Sequence, residues 1–138
     1  MKKLCCIALV LLFLLAGCAE QAAPSSIDVD LTQLSSTMVY SEVSNMMTAP
    51  EPYMGKTVKM NGAFSMYYDE QNDHYYFACL IADATACCQQ GIEFVLEGEH
   101  TYPDDYPNIG DEITVVGEFD TYDEMGYTYC QLLHAQIV

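Results

Sequence analysis

Four cysteines, Cys79, Cys87, Cys88 and Cys130, are the residues of this chain best suited to chemistry. Thiols can close disulfides, hold a soft metal ion, or serve as small apolar core residues. Cys79 falls in the apolar run Tyr75–Ala82. The adjacent pair Cys87 and Cys88 opens the next run, which continues through Ile92, Phe94 and Leu96, and Cys130 falls in the last run of the chain. Neighbours on a strand point to opposite faces, so Cys87 and Cys88 could each bridge a different partner, one Cys79 and the other Cys130. Such a bridge stabilises a small domain by ~2–4 kcal/mol. Four thiolates could instead hold zinc tetrahedrally or copper(I), with Asp83 as an oxygen ligand, although the close Cys-x2-Cys spacing usual for such sites is absent. Asp83 equally suits a corner cap that accepts backbone amides. A thiol–disulfide redox role needs a thiol of depressed pKa, and the sequence places no cation nearby to depress one.

The remaining cysteines, Cys5, Cys6 and Cys18, sit in an N-terminal targeting pattern. Lys2 and Lys3 precede an apolar stretch from Leu4 to Leu15, too short for a comfortable membrane span. It ends in Leu15-Ala16-Gly17-Cys18, which resembles the bacterial lipobox. The resemblance implies cleavage before Cys18, a lipid such as palmitate on that cysteine, and an anchor on the extracytoplasmic face of the cell membrane. Residues 1–17 are then a lipoprotein signal peptide, 18–34 the lipidated cysteine and a flexible tether, and 35–138 the folded domain. Outside the cytoplasm, disulfides are permitted.

Net charge bounds the partners. The chain holds four basic residues against 20 acidic ones, a net charge of −16. Without Lys2 and Lys3 only Lys56 and Lys59 remain, and the charge is −18. So acidic a chain is expected to repel phosphate backbones, which predicts no nucleic-acid partner. The expected partners are the membrane, through the lipid anchor, and a membrane transporter or other envelope protein.

The elements that must position the thiols follow from periodicity. Val39, Tyr40, Val43, Met46 and Met47 form one helical stripe after a cap at Ser35 or Ser36, and Pro50 ends the helix. The methionines read as core residues rather than copper ligands. Five alternating segments follow, separated by turn signals: Thr57–Met66 with a bend at Gly62, Tyr75–Ala82, the run through Leu96, Glu112–Phe119 with a bulge at Gly117, and Tyr127–Val138. Both faces of Tyr75–Ala82 are apolar enough to be mostly buried. With no room for crossover helices, the pattern predicts a mainly β fold: a small five-stranded antiparallel OB-like barrel preceded by one N-terminal helix. In that order the third strand lies beside the second and the fifth, which brings the four cysteines into one neighbourhood.

Gly55-Lys56-x-Val58, the hairpin with Ala82-Asp83-Ala84 and Cys87-Cys88, and Gly110-Asp111-x-Ile113-x-Val115-x-Gly117 resemble uncharacterised bacterial lipoproteins with OB-like domains. They are similar in particular to the extracytoplasmic domain of a permease-associated family linked with metal homeostasis. The resemblance implies a fold and a location more than an activity, and the link with metal, chiefly zinc, favours a metal role.

No catalytic motif stands out, and there is no arginine to clamp an anionic substrate. The expectation is a non-catalytic, membrane-anchored binding or accessory domain. The alternatives are zinc or copper binding beside a transporter, and a thiol–disulfide redox protein. Tyrosine offers apolar area with a polar tip, so Tyr67, Tyr68, Tyr75, Tyr76, Tyr122 and Tyr127 are the candidate ligand or partner surface.

Overall fold

A computed structural model describes residues 26–138. The expected signal peptide, Cys18 and the first part of the expected tether lie outside the described residues. The elements are β1 (Val29–Asp30), α1 (Ser36–Thr48), β2 (Thr57–Asp69), β3 (His74–Ala82), β4 (Gln89–Leu96), β5 (Glu112–Glu124) and β6 (Tyr127–Ile137). The fold is mainly β with one helix, as the periodicity predicts. None of the described helices is long and apolar enough to cross a membrane.

The strands are ordered β1-β2-β3-β4-β6-β5, and β2 also pairs with β5, so the sheet returns on itself. β2 serves both neighbours by dividing its length. Thr57–Ala63 pairs with β5, and Ala63–Asp69 pairs with β3. The change of partner falls beside Gly62, where a Cβ would lie 2.3 Å from the Leu80 carbonyl oxygen. Not every seam is antiparallel: β4 runs parallel to β6, and β1 parallel to β2. The register also shifts between Phe94 and Leu96 and between Val116 and Glu118, the second at the bulge expected around Gly117. The result is an OB-like ring of mixed strand direction rather than a regular antiparallel barrel.

Alternate positions fill the interior. Val58, Met60, Phe64, Cys79, Ile92, Phe94, Val115, Phe119 and Leu132 are all essentially inaccessible. Burying such side chains is the main favourable term in the fold, about 1.5–3 kcal/mol each. On β6 the alternation breaks at His134, whose φ is +50°, so that Leu132 and Ala135, three positions apart, both reach the core. The last strand bends here.

The helix begins where the serines predict, with Ser35 in the extended cap conformation. Val43 and Met46 are buried, and α1 packs against β3, β4 and β6. The Gln90 side-chain amide donates to the Tyr40 carbonyl, and the Tyr53 hydroxyl donates to Glu42 at 2.7 Å. Met47, expected on the buried stripe, is exposed.

Three expectations change. Leu31 is 1 % exposed and belongs to the core, while Val29 and Asp30 pair with Val58 and Lys59. Packed chain therefore reaches back into the span expected as tether, because Leu31 finds apolar cover that composition does not reveal. On β3 only Cys79 and Ile81 are buried, so just one face of that strand meets the core. Cys87 and Cys88 precede β4 in an exposed loop and do not open the strand, so strand alternation does not govern where they point.

Candidate binding groove

The four thiols are all free. Cys79 lies inside the ring, opposite Phe64 and Ile92, and burial pushes its thiol up to about 12. It is a small core residue held neutral. Cys130 is half-buried, with its Sγ 3.7 Å from the Met46 carbonyl oxygen, and burial followed by the Glu93 charge raises its pKa. Both shifts run opposite to what a reactive thiolate needs. Among the described residues no group of three or more His, Cys, Asp or Glu side chains could hold a metal ion.

Asp83 organises the loop that carries Cys87 and Cys88. Its carboxylate accepts from the backbone amides of Thr85 (3.1 Å) and Cys87 (2.9 Å) and from the Thr85 hydroxyl (3.0 Å). Burial pushes its pKa up, but these bonds together hold it below the usual carboxylate range. The loop closes with Asp83 N–H donating to the Cys88 carbonyl at 2.9 Å. This is corner capping, the local role open to an Asp at that place. Peptide mapping after brief alkylation of the native protein should label Cys87 and Cys88 first and Cys79 only after unfolding. The unfolding midpoint should be the same with and without a reductant. A midpoint that falls on reduction would mean that disulfides form between these thiols.

A concave surface lies elsewhere. β3 pairs with β4 only over Ala78–Ala82 and Gln89–Glu93. Beyond that point β3 stays with β2, while β4 continues along β6. The separation opens a groove of about 620 Å³ at the end where the β2–β3 and β5–β6 hairpins project. Tyr75, Phe77, Phe94 and Tyr106 form its aromatic wall. Phe77 stacks on Tyr106 with centroids 4.0 Å apart, and Tyr75 lies 5.0 Å from Tyr102. The segment between β4 and β5 contributes Tyr102 and Tyr106, and so covers this end of the core.

The polar wall comes from one face of the sheet. Ala78, Glu93, Gln131 and Asp120 are successive register partners across β3, β4, β6 and β5 and therefore share a face. Two residues along from these partners, the same face carries Tyr76 and Tyr122, then His74 and Glu124. Two hydrogen bonds lie along this wall. Tyr122 OH donates to Glu93 at 2.6 Å, and Tyr76 OH donates to Glu124 at 2.8 Å. Burial raises the Glu93 pKa and Glu124 adds to the rise, while the Tyr122 bond and His74 oppose it. The bond to Glu124, with smaller help from desolvation, raises Tyr76 to about 12. Tyr122 is raised further, by burial and then by Glu93.

Of the six tyrosines expected at a binding surface, Tyr75, Tyr76 and Tyr122 line the groove. Tyr67 and Tyr127 are largely exposed, and Tyr68 donates to Asp73 at 2.6 Å beside the β2–β3 turn; none of these three lines it. Glu93, Glu124, His74 and Gln131 are groove residues that the sequence did not single out as a site. The available signal was Glu93, an acid set between Ile92 and Phe94 in an apolar run.

No protein-family model matches this chain, and no curated protein matches it. Among solved structures, it is similar to a "putative nucleic acid-binding lipoprotein" from Klebsiella pneumoniae subsp. pneumoniae MGH 78578. The two are 23% identical with a TM-score of 0.44, over 70% of this chain and 81% of that chain. The likeness is to a bacterial lipoprotein and not to the permease-associated family. The description of that protein also stands against excluding nucleic acid on charge, and the exclusion is withdrawn. Net charge describes long-range repulsion by the whole molecule, not contact at one face.

Proposed function

We propose that this chain is a lipid-anchored, extracytoplasmic binding module that acts without catalysis and takes an oligosaccharide in the groove between its two projecting hairpins. The carrying observation is the groove's two unlike walls. Aromatic rings at Tyr75, Phe77 and Tyr106 offer flat apolar faces, and Glu93, Glu124, Gln131, Tyr76 and Tyr122 offer hydrogen-bonding groups opposite them. A sugar ring presents the matching pair, an apolar C–H face and a rim of hydroxyls. Few precisely placed polar groups in an aromatic cleft are the usual makings of a small-ligand site. The outer face of the central strands, flanked by these two hairpin loops, is also where OB barrels bind extended ligands. A lipid on Cys18 would hold the module at the membrane, leaving the groove free to face its ligand.

The test is titration of the protein with a neutral N-acetylglucosamine tetramer and, separately, with a short single-stranded oligonucleotide, followed by amide chemical shifts. Shifts confined to the ends of β3, β4 and β5 with the sugar are expected. Tyr75→Ala should weaken that binding about tenfold, the scale of a lost aromatic contact, and Tyr127→Ala should leave it unchanged. Binding of the oligonucleotide alone, or sugar shifts that avoid the groove, would overturn the reading.

A further inference from the structure

We infer that the groove selects ligands bearing a protonated amine, and that its preferred occupant is an oligosaccharide with free amino groups seated between Glu93 and Glu124. The inference rests on the oligosaccharide reading above and adds the charge of the ligand. Two carboxylates line the groove, and each has one oxygen already engaged by a tyrosine hydroxyl: Glu93 Oε2 by Tyr122, Glu124 Oε1 by Tyr76. The opposite oxygen of each has no donor among the described residues. Those residues contain two lysines and no arginine, and neither lysine lines the groove. Lys56 sits 5.8 Å from the Tyr53 ring centroid, and Lys59 lies on another surface, beside Asn61 and Thr114. The remaining titratable groups at the groove are His74, His100, Tyr75, Tyr76, Tyr106 and Tyr122.

A half-buried carboxylate beside a second one is costly to keep charged without a counter-ion. The tyrosine bonds offset part of that cost, and among the described residues no lysine or arginine lines the groove to supply the rest. A metal ion is the weaker candidate, because the described residues gather no set of three ligands for one. An ammonium group needs no such set. It has three N–H donors and can bond a free carboxylate oxygen while the sugar ring that carries it lies against the aromatic wall. An ammonium near a tyrosine face gains further from the ring quadrupole. Charge complementarity thus selects an amino sugar over a neutral one of the same shape.

The experiment compares two tetramers of identical backbone against the full-length protein by calorimetry. One is β-1,4-linked glucosamine and the other its fully N-acetylated form, both below the amine pKa. The glucosamine tetramer is expected to bind at least about tenfold tighter at low salt, with the advantage shrinking as salt rises. Glu93→Gln and Glu124→Gln should each reduce the preference, and the double variant should abolish it. The distant pair Glu51→Gln with Glu112→Gln removes the same charge from exposed sites outside the groove and should leave the preference intact. Should Glu93→Gln fail to fold, Glu124→Gln alone decides. Equal affinity for the two tetramers overturns the amine selectivity and leaves the oligosaccharide reading standing. A preference equally reduced by the distant pair also overturns it, since general attraction would then explain the effect. Binding of neither tetramer overturns both.

Discussion

Phe64→Ala is expected to destabilise the domain by about 3–5 kcal/mol, the range for emptying a buried phenylalanine site. Phe64 is 1 % exposed and lies about 6 Å, ring to ring, from Phe77, Phe94 and Tyr106. Its backbone is equally engaged: its N–H donates to the Asp111 carbonyl and its carbonyl accepts from Gly110 N–H, both at 2.8 Å. The rings around it come from β3, β4 and the segment before β5, so they cannot collapse together to fill the void. A loss this large approaches the whole stability of a small domain. Urea denaturation should show the midpoint falling with an unchanged slope. Because Phe77 and Tyr106 also form the groove wall, Phe64→Ala should weaken ligand binding even where the domain stays folded. A loss below about 1 kcal/mol would mean that the aromatic cluster repacks and does not frame the groove as a rigid wall.

Gly62→Ala should cost about 1–3 kcal/mol or more, an unusual penalty for adding one methyl group. The new Cβ would sit 2.3 Å from the Leu80 carbonyl oxygen and 3.0 Å from Cys79 Sγ. The first is backbone and cannot rotate away, so β2 and β3 must part where β2 changes partner. Gly110→Ala is the matched control. Nothing lies within 4 Å of its would-be Cβ, but its φ is +89°, so its cost is conformational only, about 1 kcal/mol. Thermal unfolding of the two variants separates the effects. If Gly62→Ala costs no more than Gly110→Ala, the two strands do not approach as closely as this.

What could be read from the sequence was what local pattern encodes. Ser35, the Val43 and Met46 spacing and Pro50 marked the helix, and Gly62 and Gly117 marked two of the irregular places in the strands. The strand order followed from the OB-like fold that those segments and the absence of crossover helices suggested, and the short parallel strand β1 lay outside it. The groove was not legible, because it is made by pairs distant in sequence. Tyr122 and Glu93 are 29 residues apart, and Tyr76 and Glu124 are 48 apart. Nor does alternation say where β3 and β4 part company. The cysteine pair misled for a related reason. Cys87 and Cys88 continue an apolar run in composition, but Asp83 gathers the amides of Thr85 and Cys87, and Ala86 takes a φ of +54°. Those local bonds hold the chain in a loop until Gln89.

The double duty of β2 also governs how this chain can fold. Its second half meets β3 across a short turn, and that hairpin can form early, on the microsecond scale usual for such units. Its first half must wait for β5: Asn61 donates to Thr114, 53 residues later in the chain. Contacts of that separation are formed slowly, because the entropy of closing the intervening loop comes due before they yield anything. Until β5 has emerged, Val58 and Met60 lie on an uncovered strand edge, the kind of surface that recruits foreign strands. A chain still emerging would therefore remain open and adhesive through most of its length, and would become inert only when residues 112–138 arrive.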